Sequence, residues 1–138
     1  NNRLMTAISG KQPTIPAAHR ASIIAPVNVK IALPIAEGLR FELVANICYL
    51  EAAGNYTFIY FADGERLLVC RTLQDMQDRL AAPYRFVRIH RSHIINIDYL
   101  NRYVRGKGGY VVLEGGINLA VSNSRRQEFL DRLERYFR

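Results

Sequence analysis

The sequence predicts a mainly β fold with a short internal helix and a helix at its C-terminal end. Three observations point there. From residue 30 onward, ten short runs rich in β-branched and aromatic residues follow one another. Glycine-containing turns separate several of them, and only two segments, near 72–82 and 122–137, repeat apolar residues at helical spacing. With 138 residues, 49% of them hydrophobic, the chain can bury roughly two-thirds of the surface its unfolded form exposes, which suffices for one core.

Residues 1–28 hold Pro13, Pro16 and Pro26 among Ala, Ser, Thr and Asn without a sustained period, and read as an N-terminal extension or interdomain linker. The domain proper is expected over 29–138. Its first runs, 30–35 and 39–44, flank a Glu37-Gly38 turn. Runs 47–51 and 55–61 follow, and Asp63-Gly64 reads as a two-residue hairpin turn into 66–70. Thr72 offers an N-cap with Asp75 three residues on, and Leu73, Met76 and Leu80 share a helical face before Pro83 stops the run after about three turns. The β pattern resumes at 86–89, 94–97, 99–104, 110–113 and 117–121, with glycine turns at 106–109 and 114–116. The last helix is expected to start near Ser122 or Ser124. Ser124 with Gln127 would form a capping box, and Phe129, Leu130, Leu133 and Phe137 would face the sheets.

Catalytic and metal motifs are missing from this pattern. No Cys-x-x-Cys, His-Glu-x-x-His, Gly-x-Ser-x-Gly or glycine-rich phosphate loop before a helix occurs. His90 and His93 are three apart, so in an unbroken strand they would point to opposite faces and could share a metal only across a bend. Glu51, a carboxylate in an apolar run, reads as a hydrogen-bonded structural residue before a general base. The expectation is a non-enzyme with no cofactor and no metal. Cys48 and Cys70 sit in apolar runs and read as reduced core residues, which points to a reducing cytoplasm. No apolar run approaches the roughly 18 residues of a membrane span, and the first residues lack the basic start and apolar core of a secretory signal. The chain starts at Asn1 and not at Met, so it reads as a piece of a longer protein.

Charge supplies the functional lead. Residues 84–138 carry 11 Lys and Arg against 5 Asp and Glu, a net of +6, whereas residues 29–83 carry 5 against 7, a net of −2. A one-sided basic surface is the footprint of a polyanion binder. Within it, Phe86-Val87-Arg88-Ile89-His90-Arg91-Ser92-His93 places polar donors between two short strands. Alternation would put Arg88 and His90 on one face, and Arg91-Ser92 breaks the alternation into an exposed turn. The planar fork of Arg91 suits the acceptor pair of guanine or a phosphate. A second donor set, Asn123, Ser124, Arg125 and Arg126, lies at the start of the last helix, where exposed N–H groups attract phosphate and neighbouring cations are unfavourable without a partner. The third set, Asn55, Tyr56 and Thr57, enters a strand from a turn; Asn can pair with adenine and the hydroxyls with phosphate. Lys107 adds a cation in the 106–109 turn. A β-rich RNA-binding module or a protein-interaction domain docking an acidic partner are the alternatives. An RNA reader would rely on exposed aromatic platforms, and the tyrosines here fall mostly within strand runs.

In these blocks, taken in order (Ile47 to Tyr56, Arg71-Thr72-Leu73, Phe86 to Asn96 and Val121 to Arg126), the chain from about Val29 to Arg138 resembles the LytTR family of bacterial DNA-binding domains. The resemblance implies about ten mostly antiparallel strands in three small sheets with little helix. It implies loops inserted into successive major grooves of a bent duplex, with direct repeats bound by two domains and a possible homodimer on DNA. Position by position, it makes Arg91 a base reader with His90 and Ser92 in support, and maps the other contacts to Asn55, Tyr56 and Thr57 and to Asn123, Ser124 and Arg125. Members are mostly outputs of two-component response regulators, which implies transcription regulation and a receiver or sensor domain outside this chain.

Overall fold

A computed structural model describes residues 29–137. The expected linker over 1–28 lies outside the described residues. Among the described residues there are ten strands: β1 Lys30–Ile35, β2 Gly38–Leu43, β3 Ile47–Ala53, β4 Tyr56–Phe61, β5 Arg66–Val69, β6 Phe86–His90, β7 His93–Asn96, β8 Leu100–Val104, β9 Tyr110–Leu113 and β10 Ile117–Ala120. Two α-helices join them within the same residues, α1 Leu73–Arg79 and α2 Asn123–Tyr136. All strand pairs are antiparallel. They form a two-stranded sheet β1-β2, a five-stranded sheet in the order β5-β4-β3-β7-β6 and a three-stranded sheet β10-β9-β8. The expected mainly β architecture in three sheets is therefore the observed one.

The β3-β7-β6 part of the five-stranded sheet is buried on both faces, which explains why β3 and β7 read as nearly continuous apolar runs, whereas β4 and β5 leave Tyr56 and Leu68 exposed on one face. Leu50, Ile59, Phe86 and Ile94 face α1 and the β1-β2 hairpin, packing with Leu33, Leu73, Met76 and Leu80. Cys48, Val87, Ile89 and Ile95 face the other way, onto Val111, Leu113 and Phe129 of the three-stranded sheet and α2. Each such fully buried aliphatic side chain stabilises the fold by roughly 1.5–3 kcal/mol relative to exposure. Asn96, buried to 3% exposure, ties β7 to its neighbour β3 and caps the turn that follows: its side-chain amide donates to Ile47 O at 2.9 Å and its Oδ1 accepts from Asp98 N–H at 2.9 Å.

Several expectations need correction. The internal helix α1 has 7 residues, two turns and not three. Thr72 does cap it, accepting from Asp75 N–H at 3.1 Å, but Leu80 already leaves helical geometry as the C-cap. The Ser124–Gln127 capping box does not form. Ser122 is the N-cap, without a side-chain cap bond, and Gln127 donates to Asp131 one turn further on. Phe129 is the buried residue of α2, whereas Phe137 is the C-cap and stands 49% exposed. Both cysteines are free, but only Cys48 is core; Cys70 is exposed. Strand β5 ends at Val69, and Cys70, which donates its backbone N–H to Pro34 O at 2.8 Å, shares parity with the exposed Arg66 and Leu68, opposite to the buried Val69. Burial lifts the Cys48 thiol pKa to about 11, which keeps it protonated.

Candidate nucleic-acid interface

Three turns and the start of α2 meet at one side of the molecule because backbone hydrogen bonds link them in a row. Ala52 N–H, at the end of β3, donates to Ser92 O in the β6–β7 turn at 2.9 Å. Ser122 N–H, at the start of α2, donates to Ile89 O at 2.8 Å, and Val121 N–H donates to Gly109 O in the β8–β9 turn at 3.0 Å. The three candidate donor sets and the Lys107 turn, distant in sequence, are thereby juxtaposed.

The β3–β4 turn is self-supporting. Gly54 sits at φ 64° and no non-glycine described residue has positive φ, so glycine takes the first central position of a two-residue hairpin, as a type II′ turn requires. Asn55 is exposed beside it and Tyr56 is 48% exposed. Thr57 is different. It is fully buried, and its hydroxyl donates to Arg71 O at 2.8 Å, so in this conformation it ties the turn to the segment before α1 and presents nothing to a ligand.

The β6–β7 turn is braced from outside. Arg91 and Ser92 form a two-residue connection between the paired His90 and His93, yet both have negative φ; the favoured hairpin turns of this length need positive φ. Its carbonyls are instead held by Arg88, whose Nε donates to His90 O at 2.9 Å and whose Nη2 donates to Arg91 O. The third arm of the same guanidinium donates to Gln77 Oε1 on α1 at 2.7 Å. Arg88 and His90 were expected on one face. A register shift between them pairs Arg88 with Ile94 and His90 with His93, which sends Arg88 toward α1 and His90 to the opposite face.

On that opposite face, the turn supplies the bend that brings the two histidines together, ring centroids 6.0 Å apart. Ser92 lies between them, with Oγ 2.9 Å from His90 Nδ1 and 3.2 Å from His93 Nδ1. Glu51 Oε2 stands 3.5 Å from His93 Nε2, and Glu51 Oε1 accepts from Tyr60 Oη at 2.9 Å. Tyr60 stacks on Tyr49 at 4.3 Å. This accounts for Glu51 as a structural residue, in mid-strand and not at a strand end. Burial lowers the His93 pKa below its ordinary value, with Glu51 opposing the shift. Among the described residues no group of three or more His, Cys, Asp and Glu could hold a metal ion.

Arg91, framed by these supports, is exposed, and its guanidinium has no partner among the described residues. Lys107 is exposed in the same way. At the start of α2, Asn123 and Ser124 are exposed, Arg126 donates to Asn123 Oδ1, and Arg125 lies close enough to Arg88 to lower the Arg88 pKa, after burial as the larger cause. Sequence reasoning did not find the clamp role of Arg88 or the backbone links. The available signal for Arg88 was its position two residues before a turn lacking glycine, where outside support is needed.

A sequence profile described as the LytTr DNA-binding domain matches residues 37–134. The CO-responsive transcriptional regulator RcoM of Rhodospirillum rubrum is 31% identical over 99 residues; the match takes in 71% of this chain and 41% of that regulator's length. Among solved structures, a LytTr DNA-binding domain from Bacillus cereus superposes with a TM-score of 0.65, covering 75% of this chain and 95% of that one. At 22% identity that likeness is one of fold. No helix of the described residues is long and apolar enough to cross a membrane.

Proposed function

This chain belongs to the LytTr family of DNA-binding domains, and from that premise we propose that it reads a specific double-stranded sequence through the turns described above and so regulates transcription. The observation that carries the reading is the juxtaposition of three turns and the start of α2, where the cations Arg91, Lys107, Arg125 and Arg126 have no carboxylate partner among the described residues. Arg91, on a braced turn, is assigned to a base edge in the major groove; Asn55 and Arg125 are the other candidates for base contact. Tyr56, Asn123, Ser124, Arg126 and Lys107 are assigned to phosphate, which fixes register and carries no sequence information. His90 and Ser92 support the Arg91 turn from behind. Thr57 supports its own turn and is assigned no contact.

The wider setting follows from the family and the relatives. We place the domain, residues 29–138, at the output end of a longer cytoplasmic regulator, with a receiver or sensor unit joined through residues 1–28, and two such domains on a direct repeat. Selection of bound duplexes from a random pool tests this. The expected product is a consensus with two half-sites about one helical turn apart, bound with a log–log salt slope of about −4 to −5 if roughly five phosphates are neutralised. Recovery of no consensus, or a flat salt response, would sink the reading.

A further inference from the structure

Arg88 joins two parts of the molecule that the sequence separates. Its guanidinium spans three acceptors, two carbonyls of the β6–β7 turn and the side-chain amide oxygen of Gln77 on α1, and the turn it holds has no glycine to stabilise a two-residue hairpin. Arg88 is itself half-buried against the sheet, and its three donor directions are all used inward, leaving little for a phosphate. Arg91, three residues on, is exposed and points out of the clamped turn. We propose that Arg88 is a positioning residue for sequence readout: it fixes the backbone from which Arg91 projects, and Gln77 fixes Arg88, so that α1, which lies outside the contact turns, sets the precision of base recognition.

The chemistry supports a geometric role over a charge role. A bidentate contact to a base edge tolerates little displacement, whereas a phosphate contact adapts through side-chain rotation. Lysine at 88 would keep the charge but is a point donor on a flexible stem and cannot bridge three acceptors in one plane. The proposal rests on the reading of Arg91 as a base contact, and the test separates the two.

The test uses the duplex that the wild-type chain selects from a random pool, a scrambled duplex of equal length, and the variants Arg88→Lys, Gln77→Ala and their combination, each checked for unchanged thermal unfolding. Arg88→Lys should weaken the selected duplex roughly tenfold, as expected for losing a charge-assisted clamp, leave the scrambled duplex within about twofold, and leave the salt slope unchanged. Gln77→Ala should act in the same direction at about threefold, and the double variant should resemble Arg88→Lys alone, because both act through one interaction. Equal losses on both duplexes would make Arg88 a phosphate contact and overturn the proposal. Full retention of affinity by Arg88→Lys would also overturn it, and additive effects would remove Gln77 from the mechanism. If Arg88→Lys unfolds, Gln77→Ala on half-buried α1 carries the same distinction. A wild-type chain that does not prefer its selected duplex would refute the sequence-reading function itself, independently of Arg88.

Discussion

The two ends of the five-stranded sheet treat positive charge differently, although Arg71, beside the 54–55 turn, pairs with Asp75 at 2.9 Å, and Arg66, at the other end, lies over the Phe58 ring. At the end bearing the Asp63-Gly64 turn, cations are matched: Arg40 meets Glu42 at 2.7 Å and Glu65 at 2.9 Å, and Arg85 meets Asp98 at 3.5 Å. At the end bearing the 54–55 and 91–92 turns, Arg88 is held by carbonyls and an amide, Arg126 by an amide, and Arg91, Arg125 and Lys107 by no carboxylate among the described residues. Glu51 borders this end but is engaged by Tyr60 and His93. Carbonyl and amide acceptors fix a guanidinium's position without neutralising it, so this end keeps both its geometry and its field. The difference teaches where the polyanion goes: net charge alone would spread the attraction, whereas selective neutralisation focuses it on one surface.

The largest expected effects break or sharpen that contrast within the unmatched end. Arg91→Ala should remove a bidentate contact, costing roughly 1–3 kcal/mol on the selected duplex and little on random DNA. Arg126→Ala, at the helix start, should weaken selected and scrambled duplexes about equally if, as proposed, it grips backbone. Titration of both variants at one salt concentration decides the matter. Equal losses for Arg91→Ala would demote it to a phosphate contact, and unfolding of that variant would mean Arg91 serves the strand end and not the DNA.

Much of this surface was legible in the sequence, for reasons that can be traced residue by residue. Glycine at 54, 64, 106, 108, 115 and 116 takes positive φ in the structure, and such residues mark turns before any coordinates exist. The strand runs between them show period 2 or continuous apolar character. The burial of Thr57 had a signal in the sequence: it shares parity in β4 with Ile59 and Phe61, and all three are buried. The register shift at Arg88–His90 had no comparable signal, because a bulge displaces one residue without a distinctive composition. Nor could a linear reading show that Ala52, Ser92, Ile89, Ser122, Val121 and Gly109 exchange backbone bonds, since those depend on how the three sheets stack. Cys70 shows the limit of apolar context, since its parity with the exposed Arg66 and Leu68 in β5 puts it on the outward side.

The two ends also differ in their response to acid. In the folded protein, burial holds His93 in its neutral form with a pKa below the ordinary histidine value of 6.5, although Glu51 pulls the other way. A group whose pKa is depressed by folding contributes stability above its unfolded pKa and loses it as pH falls through that value toward the folded one. The protein should therefore lose stability as pH drops below about 6.5, and His93→Gln should flatten this part of the profile. Thermal midpoints measured from about pH 7.5 to about pH 5 check it. Identical slopes in wild type and His93→Gln would show that the Ser92-centred histidine pair does not report on folding.

The smallest expected effect on binding lies at the matched end and serves as the control for the whole contrast. Arg40 is partly exposed, with its pKa raised first by its hydrogen bond to Glu42 and then by that to Glu65. Glu42 is buried at 8% exposure, so Arg40→Gln deprives a buried carboxylate of one partner and should cost more stability than the about 0–1 kcal/mol of an exposed pair, while leaving the contact turns in place. It removes one positive charge, as Arg91→Ala does, but from a site where two carboxylates already cancel it. DNA affinity and salt slope should consequently stay within about twofold of wild type, for selected and scrambled duplexes alike, because a neutralised cation releases no counterion from the duplex. If Arg40→Gln instead weakened both duplexes as much as Arg126→Ala does, binding would follow net charge irrespective of place, and the difference between the two ends would carry no functional meaning. If it left binding untouched while Arg126→Ala lowered it, the position of the unmatched cations, and not their number, would be what the duplex responds to.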